Sequence, residues 1–123
     1  MENANRYNTL TLAFLGDAVY SLMVRERLVK NSSLAAGKLH RMSVDEVNAK
    51  AQSEGAKKLL PILNDEETDI FKRGRNAHPH HSPKNQSEGD YHYATGLEAL
   101  FGYLYLEGKT DRLNELFDII NKE

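Results

Sequence analysis

Two acids stand alone in the most apolar stretches of this sequence. Between Leu10 and Val24 the one charged residue is Asp17, and between Tyr91 and Leu106 the one formal charge, with histidine neutral, is Glu98. One helical turn from Asp17 lie Ala13, Phe14, Tyr20 and Ser21; one turn from Glu98 lie Ala94, Thr95, Phe101 and Gly102. An unpartnered carboxylate in such surroundings costs on the order of several kcal/mol. Each acid therefore needs a cation, a set of hydrogen-bond donors or a raised pKa. Carboxylates are the natural ligands of Mg²⁺, a hard ion that keeps several waters and needs only one or two of them. A hydrated Mg²⁺ supplies a nucleophilic water and neutralises charge on a phosphate. The ordinary alternative is partial exposure, or an ion pair with a lysine or arginine from elsewhere.

Other residues could serve the same chemistry. Lys72, Arg73 and Arg75 cluster at the end of a helical stretch, where cations can contact phosphates or simply complement the helix dipole. His78, His80 and His81 follow at once, but His-Pro-His-His lacks helical ligand spacing, and imidazole suits zinc or nickel better than Mg²⁺. They are read as solvated loop residues that could gain charge and touch phosphate below about pH 6.5. Lys38, His40, Arg41 and Lys50 are read as an ordinary solvated helix surface. Phe101, Tyr103 and Tyr105 are read as core or dimer contacts.

The elements that must position these groups are helical, since sustained alternation and hairpin turns are missing. Leu10 to about Val29 reads as one long helix capped by Asn8 or Thr9 and ended by Asn31-Ser32-Ser33. A second helical region spans about Leu34 to Lys58, with a break at Asn48 or at Ser43, which has capping-box spacing to Glu46. Pro61 interrupts the pattern. Asn64 precedes an acidic first turn, Asp65-Glu66-Glu67, and a helix to about Arg75. A polar loop, Asn76 to Asp90, is the one long loop, and loops of that length are commonly functional. Tyr91 to Leu106 is the next helix, ended by Gly108. Thr110-Asp111 should cap a last helix with Leu113, Leu116, Phe117 and Ile120 on one side. The two acid-bearing helices are apolar nearly all round, so both are expected to be buried. Gly16, Gly96 and Gly102 flank the acids, and glycine inside a helix is tolerated where another backbone must approach. Two such helices could cross tightly and bring Asp17 and Glu98 together.

Bulk properties narrow the rest. The 123 residues, 40% apolar, suit one domain, residues 1–123. The chain has no cysteine, which excludes disulfides, thiolate zinc sites and a cysteine nucleophile. The polar N-terminus is unlike a signal peptide and no apolar run is long enough to span a bilayer, so a cytoplasmic protein without membrane contact is expected. The net charge of −2 runs against a basic nucleic-acid surface, unless a local patch or a metal supplies the positive charge.

The segment Leu12–Tyr20, Leu-Ala-Phe-Leu-Gly-Asp-Ala-Val-Tyr, resembles the signature helix of the ribonuclease III family. Ala94–Leu106 resembles its second catalytic helix, and Ile70–Ala77 resembles the Mini form of the family, which consists of the catalytic domain alone. The resemblance implies an all-α fold, the ribonuclease III endonuclease domain, in a helical homodimer across the minor groove of duplex RNA. It implies metal-ligand and catalytic roles for Asp17 and Glu98, with Mg²⁺ as cofactor and Mn²⁺ as a substitute. It implies RNA contact for Lys72, Arg73 and Arg75, and no double-stranded-RNA-binding domain. The reaction is hydrolysis of double-stranded RNA to 5′-phosphate and 3′-hydroxyl ends. For the Mini form the substrate is precursor 23S ribosomal RNA, with a large-subunit ribosomal protein assisting. Larger relatives carry further acids at the positions of Leu10, Ala13 and Thr95, which are missing here as in the Mini form. The alternative reading is a catalytically silent helical RNA-binding or ribosome-assembly module, or a structural dimerisation domain.

Overall fold

The structure, a computed structural model, describes residues 7–77 and 88–122. Among these residues there are six α-helices and no strand: α1 (Thr9–Asn31), α2 (Ala36–Val47), α3 (Ala49–Leu59), α4 (Asp65–Asn76), α5 (Glu88–Leu106) and α6 (Thr110–Ile120). A 3₁₀ turn, Leu60–Ile62, carries Pro61 between α3 and α4. The all-α expectation therefore holds.

Polar side chains set several of the boundaries. Asn8 Oδ1 accepts from the Leu10 amide at 2.8 Å and starts α1. Asn48, rather than Ser43, makes the break in the second helical region. Its Oδ1 accepts from the Ala51 amide at 2.9 Å, whereas Ser43 is buried inside α2 and donates to the His40 carbonyl. Asn64 and Glu67 form a reciprocal capping box at the start of α4. Thr110 and Asp111 do not cap α6: Lys109 is the cap residue, without a side-chain hydrogen bond. Gly108 turns the chain there with φ 71°, a backbone conformation that favours glycine. The expected loop ends earlier than Asp90, because α5 begins at Glu88.

α5 is the centre of the bundle and packs against α1, α3, α4 and α6. Leu97, Ala99, Leu100, Phe101, Tyr103 and Leu104 on it are all fully buried. Its apolar periphery is thus accounted for. α1 differs. Leu12, Val19, Tyr20, Val24 and Leu28 face the core, while Leu10, Phe14, Leu22 and Val29 are exposed on the opposite side, Phe14 at 81%. The expectation that α1 is buried all round is corrected: one apolar face stays open, because α5, α2 and α4 cover mainly the other side, with Phe117 of α6 against Tyr20.

Glycines set how closely the helices approach. A Cβ on Gly16 would collide with the backbone carbonyl of Glu98, and one on Gly102 with the carbonyl of Leu12. α1 and α5 therefore cross backbone to backbone. Gly96 faces another way: with Gly74 it forms the α4–α5 contact, where an added Cβ would stand 2.9 Å from the opposite backbone or closer.

Candidate active site

The Gly16–Gly102 crossing places the residue after Gly16 against the glutamate whose carbonyl Gly16 touches. The carboxyls of Asp17 and Glu98 share a hydrogen bond. Two carboxyl groups this close hold a proton between them unless a cation replaces it. Glu98 is the one that keeps it. Burial is the largest cause, the hydrogen bond to Asp17 and its charge add to it, and the Glu98 carboxyl is pushed up to about 8. Asp17 lies on the solvent side, and Glu98 is half-buried behind it. The expectation that both acids sit on buried helices is corrected for Asp17, which is exposed. The side chains meet, but only one of them is desolvated.

The neighbours of the pair define what it can hold. Thr95 lies one turn before Glu98 and is 6% exposed, and its hydroxyl donates to the Tyr91 carbonyl at 2.9 Å. That hydroxyl is tied to its own helix. Ala13 is buried, and Leu10 is about two turns away on the outer face of α1. Among the described residues no group of three or more His, Asp or Glu side chains is placed to hold a metal ion. The site offers two carboxylates. Gln52 on α3 is the residue that sequence reasoning passed over. It is buried, and its amide is near enough to Glu98 to favour the charged form of that acid. Nothing in its own helix singles it out, because the packing of α3 on α5 creates the contact.

The cations take separate places. Lys72 and Arg73 are exposed and Arg75 is partly covered, with its Nε donating to Asn76 Oδ1. Arg73 stands 3.9 Å from Asp69, a turn earlier. Lys72 and Arg73 line an open cleft of about 580 Å³ with Asn8, Thr9, Leu10 and Asn76. Leu10 and Asp17 are seven residues apart on one face of α1, or about 10 Å along its axis. The cleft and the acid pair thus share a side of the molecule. Lys38, His40, Arg41 and Lys50 are exposed, as a solvated surface requires. His78, His80 and His81 lie outside the described residues. Phe101 and Tyr103 are core, and Tyr105 is 55% exposed beside the open face of α1.

The chain is similar to known proteins. The model of the ribonuclease III domain matches residues 10–109. The chain is 46% identical over 110 residues to the Mini-ribonuclease 3 of a Thermoanaerobacter species, covering 89% of this chain and 78% of that one. It is 40% identical over 120 residues to the Mini-ribonuclease 3 of Clostridium tetani, covering 97% and 80%. A crystal structure of a Fusobacterium nucleatum protein is similar with a TM-score of 0.87 at 32% identity, over 98% of this chain and 96% of that one.

Proposed function

Because the chain belongs to the ribonuclease III family and is an endoribonuclease, we propose that it hydrolyses double-stranded RNA at the Asp17–Glu98 pair, with Mg²⁺ as cofactor and Mn²⁺ able to substitute. The α1–α5 crossing carries this reading. It sets two carboxyls against each other at a cost that a divalent cation removes. The donor set fits a hard ion that takes one or two protein carboxylates and fills its remaining positions with water. Bound there, Mg²⁺ would supply an activated water and counter-charge for the phosphate.

The chain's own groups do the rest. Asp17, on the solvent side, is within reach of an RNA phosphate. Glu98 must give up the proton that its carboxyl shares with Asp17 before it can act as a ligand. Lys72 and Arg73, in the cleft about 10 Å away along α1, and Arg75 near them at the end of α4 contact phosphates. That local cluster answers the negative net charge, since phosphate binding needs positive charge only where the duplex lies. The products carry 5′-phosphate and 3′-hydroxyl ends.

The open face of α1 supports a homodimer. Phe14, Leu22, Val29 and Tyr105 are each more than half exposed, and contiguous exposed apolar surface marks an interaction site. Beside them runs a groove of about 490 Å³ lined by Leu15, Ala18, Leu22, Met23, Tyr105 and Leu113. Two copies facing each other would present two acid pairs to the two strands of a duplex. Among the described residues no helix is long and apolar enough to cross a membrane. We take the protein to act in the cytoplasm on precursor 23S ribosomal RNA, with a large-subunit ribosomal protein as an assisting partner.

The test is cleavage of duplex RNA in Mg²⁺ and in EDTA. Asp17→Asn and Glu98→Gln should each lower the metal-dependent rate by at least about 100-fold while duplex binding persists. Duplex RNA bound by the unaltered protein but left intact at millimolar Mg²⁺ would make it a binding module instead.

A further inference from the structure

α3 brings to the acid pair a residue that a two-carboxylate site does not by itself require. Gln52 is 2% exposed, on a helix that packs against α5. Its Nε2 is buried and closes no hydrogen bond of ordinary geometry, and the carboxyl it lies beside is that of Glu98. A buried amide donor without a partner is rare in native proteins and asks for an explanation. Methionine or leucine would fill the same space without leaving a polar atom unpaired. Glu98 is thus approached by Asp17 from α1 and by an amide donor from α3.

We infer that Gln52 is a positioning residue: when Glu98 takes a divalent cation, the Gln52 Nε2, unpaired in the metal-free protein, donates to its carboxylate and fixes its orientation. This rests on the metal-site reading above. Donors behind a ligating carboxylate orient it, and their loss typically weakens metal binding about 10- to 100-fold. Gln52 itself is too buried to touch RNA, so its effect on the reaction runs through Glu98.

The experiment is a calorimetric titration of the RNA-free protein with Mn²⁺, for Gln52→Met and Gln52→Leu beside the unaltered chain. Mn²⁺ binding should weaken about 10-fold. The cleavage rate should fall at low Mg²⁺ and recover at high Mg²⁺, with KM for duplex RNA unchanged. The metal-free Tm should hold or rise, because an unpaired buried amide has been removed. An unchanged Mn²⁺ affinity together with a lowered Tm would make Gln52 a packing residue and overturn the inference. Asp17→Asn and Glu98→Gln run alongside. If they too leave Mn²⁺ affinity unchanged, it is the metal site that fails, whatever Gln52 does.

Discussion

Asp17 and Glu98 look alike in the sequence and differ in the structure. One is open to water and the other is half-buried, and the difference has a thermodynamic consequence. The unfolded chain ionises Glu98 near 4.5 and the native chain near 8, chiefly through burial. Between those values the native state holds a proton that the unfolded state has lost, so each step up in pH favours unfolding. The stabilisation is complete below 4.5 and is gone once the pH has risen through about 8. Thermal unfolding in EDTA should therefore show Tm falling from pH 5 to pH 8, and Glu98→Gln should flatten that slope. A slope unchanged by the substitution would mean that another group is responsible. The presence of two lone acids was legible from their apolar neighbours. Which of them is desolvated was not, because that depends on which side of α1 the rest of the chain covers.

At the scale of elements, the site is a crossing of two helices whose backbones touch at Gly16 and Gly102. Gly16→Ala would drive a methyl group into the Glu98 carbonyl, and the obstacle is backbone rather than a flexible side chain. We expect a loss of about 3 kcal/mol in stability by urea unfolding, with cleavage lost even under conditions where the variant is folded. Gly37→Ala, with nothing within 4 Å of the added carbon, serves as the control and should retain both. The flanking helices are secured differently. Glu67 closes the α4 capping box and accepts two hydrogen bonds from Arg112 of α6, each 2.8 Å long. Burial acts to raise the Glu67 carboxyl, but Arg112 and the Asn64 amide outweigh it and hold it below its ordinary value. Arg112→Ala would leave that acid buried and unpaired, at a cost of about 3 kcal/mol. A loss near zero in the same urea assay would show that water replaces the arginine. The helices and the Asn8 and Asn64 caps were readable from local patterns. The Glu67–Arg112 pair was not, since its partners are 45 residues apart in sequence.

For the whole molecule, the outer face of α1 is the open question that the monomer poses. Leu22 is 64% exposed in the middle of that face and borders the groove with Tyr105. Replacing Leu22 by Asp should leave the monomer folded, because little of the side chain is buried within it. It should also shift sedimentation from dimer to monomer and depress cleavage of both strands of a duplex. A protein that sediments as a monomer before any substitution would sink the dimer proposal. The proposed pairing has a physical reason, since a duplex spans more surface than one such bundle offers.

The sequence by itself determined the helical class, the order of the helices, the two acids and the resemblance to the ribonuclease III family, since apolar periodicity and residue type are local properties. It also determined that α1 and α5 could approach closely, because their glycines leave room and their apolar faces need cover. Only the tertiary structure decided that Gly96 serves α4 rather than α1, that Asp17 stays at the surface while Glu98 is drawn in, and that Gln52 lies beside the pair. Burial and hydrogen bonding between helices depend on which faces meet, and a helical repeat gives the faces without saying what will cover them.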